Sequence, residues 1–204
     1  VLTDAPDVPT LEDERREVRL MTPEHFKAIW AAAGSDWWQA FLATAVSTPF
    51  YVKELLRLRW DGIDLDAALA TLAPEASPTN QRRRKPKRAA LHPVAIKHLR
   101  KLAKRAGGVE VFAWEKPPRA RNGHVVGPPE KNMLERWAEG DVYGLLKAFR
   151  DMQERAAVKL DCDRKHHHTE RCWRYGLDDL RVAAVYRRGG ELLAALEQTA
   201  ARTK

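Results

Sequence analysis

Two groups of side chains in this 204-residue chain have the types and the spacing for chemistry. Cys162, His166, His167, His168 and Cys172 place two thiols and three imidazoles within eleven residues. A closed tetrahedral zinc site uses four ligands of this kind. Cys162, His166, His168 and Cys172 are the expected ligand set for a structural zinc, with His167 left free. A catalytic zinc is not expected, because no HExxH-like pair or glutamate base stands at helical spacing nearby. The alternative is an exposed polar loop that takes up metal adventitiously. Just downstream, Tyr175-Gly176 leads into Leu177-Asp178-Asp179-Leu180-Arg181. The turn and the apolar spacing after it predict a helix capped by Asp178 with Arg181 on its first turn. There a guanidinium can meet an anion near the positive end of the helix dipole.

The cations are concentrated in two further places. Arg82, Arg83, Arg84, Lys85, Lys87 and Arg88 are six cations in seven residues. A predicted helix opened by Pro93 carries Lys97, Arg100, Lys101, Lys104 and Arg105 on one face and Ala95, Leu99, Leu102 and Ala106 on another, until Gly107-Gly108 ends it. With a formal charge of +8, these stretches suit a polyanionic partner, of which nucleic acid is the commonest. A solvated basic surface would show the same pattern.

These groups have to be positioned by a folded body, and the composition allows one. Hydrophobic content of 44% with 31% charged residues describes a globular chain. No apolar run approaches the ~18 residues of a membrane span, and the acidic N-terminus has no secretory pattern, so a cytoplasmic location and no membrane partner are expected. Two cysteines with three histidines between them favour reduced thiols over a disulfide. Residues 1–18, with Pro6, Pro9 and six acidic residues, read as a linker or arm, and a domain upstream of it is expected. Residues 19–204 read as one domain.

Within that domain Thr22-Pro23 should start a helix on Phe26, Ile29, Trp30 and Ala33 that stops at Gly34. Ser35 or Asp36 caps a second, burying Trp38, Phe41, Leu42 and Ala45. Residues 60–65 should form the first strand of a small antiparallel sheet, with residues 69–74 and 87–91 as its outer strands. Residues 109–114 are a short apolar run. A helical pattern resumes at Glu130, and Asp141 caps a segment on Leu145, Leu146, Phe149, Met152 and Ala156 that ends near Lys159. The helix after Gly176 runs to Val185 and breaks at Gly189-Gly190, and a final helix follows on Leu192, Leu193 and Leu196.

Two stretches resemble boxes of the tyrosine recombinases, or phage integrases. Glu54-Leu55-Leu56-x-Leu58-x-Trp60-x-x-Ile63-Asp64 is similar to the pattern T-G-L-R-x-x-E-L-L-x-L-x-W-x-D-I-D, and Tyr175 to Arg181 is similar to Y-G-F-H-D-L-R. The Lys165 to Cys172 stretch also resembles an insertion found before that second box in some bacterial relatives. The resemblance implies a mostly α-helical α+β fold with a small three-stranded antiparallel sheet, double-stranded DNA as partner, a possible homo-oligomer on DNA, and Arg181 as the retained second catalytic arginine. It also implies what is altered. The first arginine falls on Tyr51, Pro49 takes the glycine of the turn, and the box histidine is Asp178.

The hairpin lysine of the family falls near Asn80 or Arg82, or on Lys85 if the hairpin is shortened. The last tyrosine, Tyr186, lies only five residues past Arg181, on the wrong helix for the nucleophile, whose segment is expected beyond Lys204. A phenol can donate one hydrogen bond but cannot form the bidentate cationic clamp of an arginine, so Tyr51 is expected to pack or to stack on DNA. The function expected is a pseudoenzyme: integrase-like DNA binding through the phosphate backbone, without cleavage. The alternatives are a truncated fragment of an active site-specific recombinase and a zinc-stabilised protein-interaction module.

Overall fold

The computed structural model describes residues 20–77, 85–105, 108–112, 143–158 and 175–202. Helix α1, Pro23–Ala32, begins where the Thr22 hydroxyl accepts the His25 amide and Pro23 takes the first helical position. It ends at Gly34, whose φ of 65° suits a residue without a side chain. Ser35 then caps α2, Asp36–Ser47, by accepting the Trp38 amide. From Trp37 to Val46 only Gln39 escapes full burial, so α2 is apolar nearly all round, the mark of a central helix. Its two inward threonines bond back along the chain, Thr44 to the Ala40 carbonyl and Thr48 to that of Thr44, both at 2.8 Å. Trp37, Trp38, Phe41 and Phe112 form an aromatic cluster around its first half.

After the short helix α3, Val52–Leu55, the chain makes a 3-10 turn at Trp60–Gly62 and a three-stranded antiparallel sheet of β1, Ile63–Asp64, β2, Leu69–Leu72, and β3, Lys87–Ala90. The strand order is β1-β2-β3, which corrects the sequence expectation in two respects. The segment at 69–72 is the central strand instead of an outer one, and residues 60–62 are a turn before the first strand. The register pairs Leu72 with Lys87 and Ala70 with Ala89. Alternation then puts Lys87 and Ala89 on the face packed against the core, and leaves Arg88 and Ala90 exposed.

Helix α4, Pro93–Ala103, packs on α2 through Val94, Ala95, His98 and Leu99. Its N-cap is His92, and it ends before the expected Gly107-Gly108, with Lys104 as C-cap. A short segment after it pairs Glu110 with Arg59 and buries Val111 and Phe112. Helix α5, Tyr143–Arg155, lies on α1 and buries Leu145, Phe149 and Met152, as the apolar spacing requires. The expectation of a helix from Glu130 capped at Asp141 falls outside the described residues.

Helices α6, Leu177–Val185, and α7, Gly189–Arg202, close the fold against α2. Gly189-Gly190 therefore opens α7 instead of breaking α6. The break falls at Arg187, left-handed with φ 58°, while the Arg188 amide bonds the Ala183 carbonyl at 2.8 Å. Gly189 serves close packing instead, because a Cβ there would lie 1.8 Å from the Val46 carbonyl oxygen and only glycine lets α7 start this near the end of α2. Among the described residues no helix is long and apolar enough to cross a membrane.

Candidate anion-binding site at Tyr51, Glu54, Lys87 and Arg181

Two helix starts meet below the end of α2, and both open in the same way. At α3 the Glu54 carboxylate reaches back to the Tyr51 amide at 2.8 Å, and at α6 the Asp179 carboxylate reaches back to the Gly176 amide at 2.7 Å. Each acid sits at the third helical position and satisfies a donor that the helix itself cannot. The N-cap of α6 is thus Gly176, not Asp178, which stands exposed at the second helical position. Arg181 follows at the fifth, in the second turn instead of the first.

The start of α6 is fixed from α5. Gln153, fully buried, accepts the Tyr175 amide at 2.8 Å and donates to the Tyr175 carbonyl at 3.0 Å. The Tyr175 hydroxyl and His25 Nδ1 are 3.0 Å apart. Leu177, Leu180 and Ala183 then anchor α6 in the core and turn Arg181 toward α3.

Glu54 is the centre of the site. Only 1% exposed, its side chain takes the Lys87 ammonium at 2.8 Å, the Ser77 hydroxyl at 2.5 Å and the Tyr51 amide. Burial pushes its carboxyl up, but the bonds from Lys87, Ser77 and the Tyr51 amide, together with the charge of Lys87, outweigh that and hold it below the ordinary carboxylate range. It is a carboxylate at neutral pH. The Lys87 ammonium lies 5.1 Å from the centre of the Tyr51 ring and 5.7 Å from that of Phe50. The Arg181 guanidinium lies 4.1 Å from the Tyr51 ring centre. One phenol ring, 39% exposed, thus carries two cations. Arg181 has no carboxylate partner among the described residues, and its Nε has no acceptor.

The other cations singled out in the sequence are placed differently. Lys97, Arg100 and Lys101 on α4, and Lys104 and Arg105 just past its end, are all exposed. Arg100 pairs with Asp66 at 3.1 Å, and Arg105 and Lys101 reach Asp36 at 2.9 and 3.8 Å. Lys97 and Lys104 have no ion pair among the described residues. Along with Arg100, Lys101, Leu65, Pro93 and Ile96 they line an open depression of about 460 Å³. Lys85 and Arg88 are exposed at the sheet edge. Arg82, Arg83 and Arg84 lie outside the described residues, as do Cys162, His166, His168 and Cys172. Tyr186 caps the end of α6, 54% exposed.

Sequence reasoning names Lys87 only as one of a basic run, and Glu54 only as a letter of a motif. The signal that joins them is parity: Lys87, Ala89 and Leu91 alternate with Arg88 and Ala90, so the lysine shares the inward face of its strand. Ser77 and Phe50 give no such signal.

This mostly helical fold with its small three-stranded antiparallel sheet is similar to a solved structure titled "Crystal structure of XerA recombinase". The fold resembles that of XerA recombinase. The two superpose with a TM-score of 0.51 at 13% sequence identity, over 89% of this chain and 50% of the other. This chain therefore spans about half the length of that one. No protein-family model matches the sequence, and no curated protein does. The likeness is one of architecture.

Proposed function

We propose that this chain is a DNA-binding domain of the recombinase fold that grips the phosphate backbone of a duplex without cutting it. The observation that carries this reading is the Arg181 guanidinium, held on the Tyr51 ring with no carboxylate to neutralise it among the described residues. Phosphate contacts of this kind position a protein on DNA irrespective of sequence. The exposed cations of α4 add to the positive field of the fold.

Two residues weigh against cleavage. In the recombinases that the two boxes resemble, arginine and histidine stabilise the charge of the phosphoryl transition state. Here those positions hold Tyr51 and Asp178. A neutral phenol and an exposed carboxylate supply no such stabilisation, and charge stabilisation dominates phosphoryl-transfer catalysis. The loss of both corresponds to several orders of magnitude in rate.

The test is duplex affinity measured against salt. A line falling steeply in log affinity against log salt is expected, with little preference among sequences, and a flat line overturns DNA binding. Incubation with a nicked suicide duplex should leave no covalent protein–DNA adduct, and an adduct overturns the absence of cleavage. For the Cys162, His166, His168 and Cys172 cluster we keep the reading of a structural zinc. Purified protein should then carry about one zinc per chain, and a chelator should lower its Tm by several degrees. Metal-free protein with an unchanged Tm removes that reading.

A further inference from the structure

We propose that the acidic segment from Leu11 to Glu14 docks, within the same chain, into the open depression along α4 and covers the lysines on its rim. The docking goes beyond the DNA-binding reading and does not depend on it. Residues 11–14 lie outside the described residues, whereas every residue of the depression is described. Pro93, Ile96, Lys97, Arg100, Lys101 and Lys104 recur three or four apart, so they share one side of the helix, and Leu65 faces them. Leu65 and Ile96 are only half-buried and Pro93 is exposed, which leaves apolar surface in an opening of about 460 Å³. The cations stand around it. Asp66 takes Arg100 and Asp36 reaches Lys101, and Lys97 and Lys104 have no ion pair among the described residues.

This mixture selects its occupant. An anion satisfies the two lysines, but only an apolar group removes Leu65, Pro93 and Ile96 from water. A duplex backbone offers the charge and no apolar body. Leu11-Glu12-Asp13-Glu14 offers a leucine beside three carboxylates. The signs are opposed over the longer stretches too. Residues 1–18 carry six acids against Arg15 and Arg16, while no acid occurs from Pro93 to Arg105.

The segment can reach. The Trp30 ring meets that of His98 at 5.0 Å between centres, so α1 passes beside α4. From Pro23 to Trp30 is about 10 Å along the helix, and rounding α4 from its buried to its exposed side adds about 10 Å more. The chain from Glu14 to Pro23 extends to about 30 Å. Tethering at such a length gives an effective concentration on the order of millimolar, at which a contact of a few side chains is populated. A duplex approaching α4 has to displace the segment. Its affinity falls, while the counterions released from its phosphates stay the same in number.

The test uses the full chain. A carbodiimide, which condenses a carboxylate with an amine only where the two touch, is applied at low salt, and the joined peptides are identified by mass spectrometry. Lys97 or Lys104 should be linked to Glu12, Asp13 or Glu14 within a single chain. Leu11→Ser keeps every charge and should lower the yield about fivefold, which attraction between charges alone would not do. In a second arm, Leu11→Ser and the combined Glu12→Gln, Asp13→Asn and Glu14→Gln variant should each bind a short duplex about fivefold tighter than the unmodified chain.

No such link, or a yield unchanged by Leu11→Ser, overturns the docking. Links found only in material of twice the chain mass give the depression to a second copy and overturn it as well. Duplex binding of equal strength in all three proteins overturns the covering of the lysines. Links that depend on Leu11, with no duplex binding by any of the three, uphold the docking and remove the DNA reading.

Discussion

The Tyr51 site and the α4 stripe both gather lysine and arginine, yet they are built on opposite principles. At the site, each cation is held by something the core supports: Lys87 by a buried carboxylate, Arg181 by the face of a ring. On α4 and just past its end the cations are exposed: Arg100 pairs with Asp66, itself 97% exposed, and Lys101 and Arg105 reach Asp36 from solvent. Exposed pairs of that kind contribute little to stability, ~0 to 1 kcal/mol, and are screened by salt. A cation fixed in advance gives geometry, whereas a cation on a solvated face gives field.

The largest test of this contrast is stability. Lys87→Met alone leaves the Glu54 carboxylate buried with no countercharge, and should destabilise the fold by about 3 kcal/mol in urea unfolding. Lys97→Ala, on the exposed face, should change it by less than about 0.5 kcal/mol. Losses of equal size in the two variants would erase the distinction.

The pH dependence sharpens it next. Glu54 titrates lower in the fold than in the unfolded chain, so the unfolded state takes up a proton first as pH falls. The stabilisation is present at neutral pH and is lost as pH drops through the folded value, below the ordinary carboxylate range. His98 adds a step at higher pH. Burial lowers its value, with Lys101 and Lys97 adding to the effect and Asp36 opposing it, while its ring stands edge-on to Trp30 at 5.0 Å. The unfolded state again binds the proton more readily, so stability declines as pH falls from the ordinary imidazole range. Acid titration of stability should show both steps, His98→Leu reducing the upper, to which His92 also contributes because burial lowers it against the pull of Glu197, and Glu54→Gln removing the lower. A profile unchanged by either variant would separate these groups from acid unfolding.

The smallest effect belongs to the stripe. Lys97→Ala and Lys104→Ala should each flatten the slope of log affinity against log salt by about 1, nearly equally for all duplex sequences, with no change in Tm. A preference for particular sequences that disappears with either lysine would make the stripe a specific contact after all.

What can be read in the sequence follows the range of the interactions. The starts of α1 and α2 are legible because Thr22, Pro23 and Ser35 act within one turn of themselves. The buried stripe of α5 is legible because Leu145, Phe149 and Met152 repeat at the helical period. The cap of α6 is not, because two neighbouring aspartates offer the same chemistry and backbone geometry alone selects Asp179 to serve Gly176. The site itself is legible only in part. The boxes bring Tyr51 and Arg181 into view, but they point for the lysine between them to Asn80, Arg82 or Lys85. Its position depends on the register of β3 against β2, a pairing no local signal sets. The contact of Lys87 with Glu54 spans 33 residues, and its reason lies in a fold rather than in a motif.

The paired bonds of Gln153 to the Tyr175 backbone have one further consequence. They close a span of 22 residues with a single side chain, in the manner of a one-rung ladder. The position of α6, and of Arg181 within it, is then set at this closure, so the guanidinium reaches the Tyr51 ring from a backbone that α5 holds in place.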